Sequence, residues 1–93
     1  MDGGEVRHDE TERRFEQEED GATGFVTYER RGGAIAFTHT IVPRELEGRG
    51  IGSRVVRAGL DYARAEGLEV VPQCSFVAAY IERHPEYRDL VGA

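Results

Sequence analysis

Three glycines stand at alternate positions in residues 46–53, which read Leu-Glu-Gly-Arg-Gly-Ile-Gly-Ser. They are Gly48, Gly50 and Gly52, with Arg49 between the first two. Because glycine has no Cβ, a ligand can come close to the backbone N–H groups of such a segment. The segment also precedes a predicted helix, whose N-terminus adds partial positive charge. The spacing therefore predicts an anion site suited to phosphate.

Spacing excludes two familiar phosphate loops. The P-loop places a lysine and then a serine or threonine after its last glycine, whereas Gly52 is followed by Ser53 and Arg54, and the chain contains no lysine. A dinucleotide fingerprint that began at Gly48 would need a third small residue at position 53 and an acidic residue about 20 positions later. It would also need a larger sheet than 93 residues can build.

Two further side chains could take part in chemistry. Cys74 is the only cysteine and begins a predicted helix, where backbone N–H groups lower the pKa of a thiol. It would act as a nucleophile, line a pocket, or serve as a small buried apolar residue. His39 shares a predicted strand face with Ile35, Phe37 and Ile41. That position suits either a core histidine or a general base.

The pattern of apolar residues predicts the elements that position these groups. Residues 34–42 read as a central strand that is apolar on both faces, and residues 49–66 read as an amphipathic helix that Gly67 ends. A strand, a crossover helix and another strand imply parallel pairing. The predicted order is β-β-β-α-β-α, an α+β (mixed α/β) domain in which an antiparallel meander gains a parallel last strand. Its other elements are strands at 12–19, 25–31 and 68–72 and a helix from Ser75 to the stop at Pro85.

Composition limits the classes of partner. The net charge is −6, and residues 1–20 contain nine acidic residues and three arginines, whereas residues 21–93 contain nine of each. We therefore expect a disordered acidic start over residues 1–10, followed by one domain over residues 11–93. A basic face for nucleic acid is not expected. An apolar run of about 20 residues, as a membrane span requires, is also missing. A single cysteine agrees with a cytoplasmic protein.

Four segments together resemble a compact subgroup of the GNAT superfamily, the acyl-CoA-dependent N-acetyltransferases. They read HTIVP from His39, EGRGIG from Glu47, VPQC from Val71 and HPEY from His84. Glu47 stands where this family usually has glutamine or arginine. The resemblance covers residues 34–90 and implies the minimal GNAT fold with acetyl-CoA as acyl donor and no metal.

The resemblance also implies a site. The backbone N–H groups of residues 49–53 would hold the pyrophosphate of coenzyme A, and the pantetheine arm would lie where the strands at 34–42 and 68–72 separate. The backbone beside Ile41 and Val42 would polarise the thioester carbonyl, and Tyr80 would protonate the departing thiolate. The implied cofactor-binding residues are Ile41, Val42, Arg49, Gly50, Ile51, Gly52, Ser53 and Arg54.

The function that this resemblance implies is transfer of acetyl to an amine by direct attack on the thioester. The acceptor is unidentified. The stretch between the first strands is too short for helices that would enclose a small substrate. The acceptor side is therefore either open, which suits a protein or peptide amine, or completed by another subunit. The protein would act as a monomer or homodimer. The alternatives are a non-catalytic acyl-CoA-binding or regulatory module and a small interaction domain without a cofactor.

Overall fold

The computed structural model describes residues 5–92. It contains one five-stranded sheet with the strands in chain order, and the first four strands are antiparallel whereas the fifth is parallel to the fourth. The strands are β1 (Arg7–Asp9), β2 (Arg14–Glu19), β3 (Ala22–Arg31), β4 (Ala34–Ile41) and β5 (Glu69–Pro72). The helices are α1 (Ile51–Glu66) and α2 (Ser75–Arg83), and 3-10 helices span Arg44–Leu46 and Pro85–Leu90. The predicted mixed α+β class is confirmed.

Strand β1 is a difference from the sequence prediction, which placed residues 1–10 in a disordered segment. Residues 7–9 pair with β2. The reason is His8, whose ring stacks on Phe15 at 4.1 Å and whose Nε2 lies 2.6 Å from the hydroxyl oxygen of Tyr28. One aromatic side chain thus anchors the strand. Residues 1–4 of the predicted segment lie outside the described residues.

Helix α1 covers one face of the sheet. Its apolar residues, among them Val55, Val56 and Leu60, are fully buried, as the helical spacing predicts. Gly59 lets the helix approach the sheet closely, since a Cβ at that position would lie 2.7 Å from Cε1 of Phe37. The helix ends at Gly67, which has the left-handed φ of 70° and donates its N–H to the carbonyls of the last turn.

Helix α2 and the second 3-10 helix pack beside α1 on the same side. Tyr87 donates its hydroxyl to Asp61 of α1 at 2.7 Å, and the Phe76 ring lies against Gly52 at the start of α1. The opposite face of the sheet carries no helix among residues 5–92. We refer to it as the open face, and its side chains include Arg14, Glu16, Phe25, Thr27 and Ile41.

A β-bulge interrupts the register of β3 and β4. Tyr28 pairs with Phe37 but the preceding residue, Thr27, pairs with His39, so Thr38 is the extra residue. The bulge shifts the alternation of side chains by one position. Beyond it, Thr40 turns to the helix-covered side, whereas His39 turns to the open face. The prediction that His39 shares a face with Phe37 is therefore wrong.

Candidate functional site

A cleft of about 460 Å³ lies between the glycine segment, the end of β4 and the start of α2. The glycine segment and the end of the strand at 34–42, both predicted to form the site, contribute to it, whereas no residue of β5 lines it. Its walls are mainly backbone and small or apolar side chains, with one carboxylate. The lining residues are Thr40, Val42, Leu46, Glu47, Gly48, Gly50, Ile51, Gly52, Ser53 and Phe76.

Glycine is needed at these three positions for two different structural reasons. Gly48 and Gly50 have φ of 83° and 79°, a left-handed conformation that costs other residues about 1 kcal/mol or more. Gly52 is an ordinary helical residue, but a Cβ there would lie 2.9 Å from Cζ of Phe76. The loop therefore needs glycine for its backbone path, and the helix start needs it for the aromatic ring that packs against it.

The first turn of α1 presents backbone N–H groups. The first hydrogen bond of the helix runs from the N–H of Arg54 to the carbonyl of Gly50 at 3.1 Å. The N–H groups of residues 51–53 precede that bond, and the N-cap residue, Gly50, has no side chain to accept from them. The sequence prediction of a helix from residue 49 begins two residues early. These free donors next to the cleft form a geometry that can bind an anion.

The parallel pairing of β4 with β5 stops before β4 ends. The last pair is Phe37 with Pro72, and the chain then turns so that the N–H of Cys74 donates to the carbonyl of Phe37 at 3.0 Å. Proline has no N–H with which to extend the ladder. The edge of β4 over residues 38–41 therefore has no neighbouring strand among residues 5–92. The two strands separate at the cleft.

The bulge determines which β4 side chains reach the cleft. Thr40 and Val42 line it, whereas the Ile41 side chain points to the open face with 48% of its surface exposed. Of the two residues predicted at the site from this end of the strand, Val42, just after β4, contributes its side chain and Ile41 contributes at most its backbone. Residue-by-residue alternation could not reveal this, because a bulge has no reliable sequence signal.

Cys74 adjoins the cleft as the N-cap residue of α2. Its sulfur lies 3.3 Å from the hydroxyl oxygen of Thr40. Burial raises the pKa of the Cys74 thiol, but hydrogen bonds from the Thr40 hydroxyl and from the backbone N–H groups of Val77 and Phe76 outweigh burial, so the net pKa is lowered. These bonds thus favour the thiolate of Cys74 more than an ordinary thiol environment does, as its position in the sequence predicts.

The side chains of Arg49 and Arg54 form hydrogen bonds with residues outside the cleft. Arg49 donates from Nη1 to Asp20 at 2.7 Å and to Glu19 at 3.2 Å, and these bonds raise the pKa of its guanidinium. Arg54 donates from Nε to the buried amide oxygen of Gln17 at 3.0 Å. Neither side chain lines the cleft. Their predicted contact with a phosphate stays a prediction.

His39 and Tyr80 do not line the cleft. His39 is exposed on the open face, next to the separating strands. Tyr80 is 3% exposed, and its ring stacks on His84 at 3.9 Å. Cys74 does not line the cleft either, but it contacts Thr40 of the cleft wall, and the catalytic roles of all three residues stay predictions.

Sequence reasoning missed two residues of the cleft wall. Thr40 reaches it only because of the bulge. Phe76 is 37% exposed, and its ring packs against Gly52 in the first turn of α1. The signal for Phe76 was its position two residues after Cys74, in the first turn of a helix that begins beside the glycine loop.

Comparisons with known proteins agree with this geometry. The family described as GCN5-related N-acetyl-transferase matches residues 14–90. Protein NATD1 from mouse is 32% identical over 88 residues, which cover 89% of this chain and 80% of the mouse protein. Protein NATD1 from chicken is 31% identical over 84 residues, with coverage of 87% and 76%. The NMR solution structure of a GCN5-like protein from Staphylococcus aureus superposes with a TM-score of 0.76 at 28% identity, covering 100% of this chain and 92% of that one.

The chain belongs to the GCN5-related N-acetyltransferase family. The family match begins at β2 and ends with the second 3-10 helix, so it includes the cleft and all the elements that form it. Within residues 5–92, no helix is long and apolar enough to cross a bilayer. Over the same residues, no three side chains of the metal-binding types are grouped closely enough to hold an ion.

Proposed function

We propose that this protein is an acetyl-CoA-dependent N-acetyltransferase that transfers acetyl to an amine. One observation carries the proposal: a single cleft joins the free N–H groups at the start of α1 to the part of β4 beyond its pairing with β5, and Thr40 in the cleft wall lies 3.3 Å from the sulfur of Cys74. An anion site at one end and a strand edge with a thiol at the other fit a ligand with a diphosphate and a thioester arm.

The glycine loop would bind the diphosphate. The backbone conformation fixes the direction of these N–H donors. They act together with the partial positive charge at the N-terminus of the helix. The left-handed glycines at 48 and 50 support this role, since they turn the loop into the helix without a Cβ near the ligand. The N–H groups of residues 50–53 are the proposed donors.

The arm of the cofactor would lie along β4 beyond Phe37. There the backbone has no neighbouring strand, so its polar groups can bond to the amides of an extended ligand. The thioester carbonyl would then face backbone N–H groups near Ile41 and Val42, and these would stabilise the negative charge that develops on the oxygen. Rate enhancement would come mainly from positioning and from this stabilisation.

Transfer requires a neutral amine. Its nitrogen lone pair attacks the thioester carbon, the C–N bond forms, the C–S bond breaks, and coenzyme A leaves as the thiolate. The proton from nitrogen passes to a base or to that thiolate. Cys74 has two proposed roles: its thiolate accepts the acetyl group first and then passes it to the amine, or its side chain only lines the acyl end.

The acceptor would approach from the open face. The strands separate where this face meets the cleft, and no helix of the described chain covers it. His39 is exposed there and stands as the proposed base. An uncovered surface favours an amine carried on a protein or peptide, because a small amine would find few walls to hold it.

A specific observation also supports a second function, a non-catalytic acyl-CoA-binding module. Among the side chains that line the cleft, only Glu47 is ionisable. A binding module needs no general base, whereas a transferase gains rate from one. The two functions share the cofactor site and differ only in turnover.

One experiment separates these functions. The protein is incubated with acetyl-CoA and a panel of lysine peptides and small amines, and the free coenzyme A thiol is measured together with the intact mass of protein and peptides. Transferase activity predicts acetylated amine. If acetyl-CoA stabilises the protein against heat but no acetylated amine forms, the result supports the binding module. Neither protection nor product contradicts both. Cys74→Ala, with Ala79→Ser as a control on α2, distinguishes the two roles of the thiol: only a covalent role predicts an acetyl adduct on the wild type that the variant lacks.

A further inference from the structure

The β2–β3 turn binds Arg49, the only basic side chain of the glycine loop at residues 46–53. Nη1 of Arg49 bonds to one oxygen of Asp20 and one oxygen of Glu19, and both carboxylates stand at this turn. The ion pairs join segments about 30 residues apart in the chain. A cation that a phosphate ligand would use is thus already occupied by carboxylates of the protein.

The β2–β3 turn has a defined backbone conformation that positions these two carboxylates. Glu19 pairs with Ala22, so Asp20 and Gly21 form a two-residue loop, and both have positive φ, 53° and 80°. This is the backbone pattern of a type I′ hairpin turn, which matches the twist of the strands. Next to the turn, a Cβ at Gly24 would lie 2.7 Å from Cγ2 of Ile51. The hairpin therefore packs directly on the first turn of α1.

The local charge balance is negative. Glu19, Asp20 and Glu47 surround the loop, and Arg49 is paired with two of them whereas Arg54 is bonded to Gln17. Moreover, Oε1 of Glu19 is buried without a hydrogen-bond partner among the described residues. Because water does not screen that oxygen well, the Glu19 carboxylate holds the nearby guanidinium of Arg49 more strongly than a solvated carboxylate would.

We propose that Glu19 and Asp20 set the affinity of the glycine loop for its phosphate ligand by holding Arg49 at the hairpin turn. The diphosphate binds when it takes the guanidinium from the two carboxylates. Both are positioning residues, because they act through Arg49 and do not touch the ligand. The inference rests on the proposed function, since it takes acetyl-CoA as the ligand.

Two substitutions test this with little structural change. Glu19→Gln and Asp20→Asn remove the charges but keep size and polarity, and asparagine tolerates the left-handed conformation of residue 20. Exposed ion pairs are weak, so the double variant should bind acetyl-CoA about two- to fivefold more tightly at low salt. Glu18→Gln is the matched control, because Glu18 is exposed on the same strand and has no bond to Arg49.

The dissociation constant is measured by calorimetry for acetyl-CoA and for S-acetylpantetheine, which lacks the diphosphate. The inference predicts tighter binding of acetyl-CoA alone, and a smaller gain when Arg49→Gln is also present. Equal changes for both ligands, a weaker complex, or a gain that Arg49→Gln does not reduce would overturn the inference. A wild type that does not bind acetyl-CoA would overturn the proposed function and the inference together, whereas wild-type binding with unaffected variants overturns the inference only.

Discussion

The hydroxyl oxygen of Thr40 lies 3.3 Å from the sulfur of Cys74. This contact joins the end of β4 to the start of α2 beside the cleft. It exists because the bulge at Thr38 reverses the alternation of β4, so that Thr40 turns to the side where Cys74 caps the helix. Thr40, which the sequence analysis did not single out, thus becomes a hydrogen-bond partner of the thiol.

Removal of the Thr40 hydroxyl should raise the pKa of Cys74. Thr40→Val keeps the shape but takes away a hydrogen bond that favours the thiolate, one of the bonds that lower this pKa. The measurement is the rate of alkylation by iodoacetamide as a function of pH, whose midpoint should move upward. Thr40→Ser should keep the wild-type midpoint, and Thr23→Val is the control. An unchanged midpoint in Thr40→Val contradicts the assignment.

Replacement of Gly59 or Gly52 of α1 by alanine should destabilise the fold by different amounts. A Cβ at Gly59 would lie 2.7 Å from the ring of Phe37, which is 1% exposed and cannot move, so Gly59→Ala should destabilise the fold by about 1–3 kcal/mol. At Gly52 the obstructing ring is Phe76, which is 37% exposed and can turn away. Gly52→Ala should therefore cost less than about 1 kcal/mol.

The free energy of unfolding from urea titrations compares the two variants. Helix propensity favours alanine over glycine in both, so it does not explain a difference between them. Gly33→Ala, at a site with open space around it, is the control for handling and expression. Equal costs at positions 52 and 59 would show that the two contacts do not differ as the geometry requires.

Tyr87 should make stability depend on alkaline pH. Burial and the hydrogen bond to Asp61 raise the pKa of Tyr87 to about 12. Because the folded pKa lies above the unfolded value of about 10, the contribution is complete below pH 10 and is lost as pH rises toward 12. The difference in unfolding free energy between the wild type and Tyr87→Phe should be constant from pH 7 to 9.5 and shrink above that. A difference that does not shrink contradicts the shift.

The contribution of His8 to stability should be lost as the pH falls, whereas that of Tyr87 is lost as the pH rises. Burial lowers the pKa of His8, and the carboxylates of Glu10 and Asp9 oppose that shift without cancelling it. Since the folded pKa lies below the unfolded value of about 6.5, the contribution is complete above pH 6.5 and is lost as pH falls through the folded pKa. His8→Phe keeps an aromatic ring without this titration.

Urea unfolding at pH 7.5 and at pH 5 tests this prediction. The wild type should lose more stability between the two pH values than His8→Phe does, and amide exchange in β1 should accelerate in parallel. His39 and His84 are the same in both proteins, so they cancel in the comparison. Equal losses would indicate that His8 titrates with an ordinary pKa.

The sequence predicted the order of the main elements because their signals are local. Periodicity marks α1 and its stop at Gly67, and proline marks the ends of β4 and β5. Strand β1 was not predicted because three residues are too few to show a periodic pattern of apolar side chains. Its anchor is the contact of His8 with residues distant in the chain.

The site was predicted where it depends on the backbone and missed where it depends on side-chain direction. The glycine loop and the position of Cys74 follow from composition and element order. The direction of His39 and Thr40 follows from one extra residue in β4, and the partners of Arg49 follow from how the β2–β3 hairpin packs on α1. These long-range relationships leave no pattern in a single sequence.

The central claim is that acetyl-CoA binds with its diphosphate at the start of α1. Titration of ¹⁵N-labelled protein with acetyl-CoA, followed by NMR of the backbone amides, tests it most directly. We predict that the largest shifts fall on the N–H groups of Gly50, Ile51, Gly52 and Ser53, and that S-acetylpantetheine leaves them nearly unchanged. Saturating acetyl-CoA without shifts at these four amides, or with its largest shifts elsewhere, would contradict the claim.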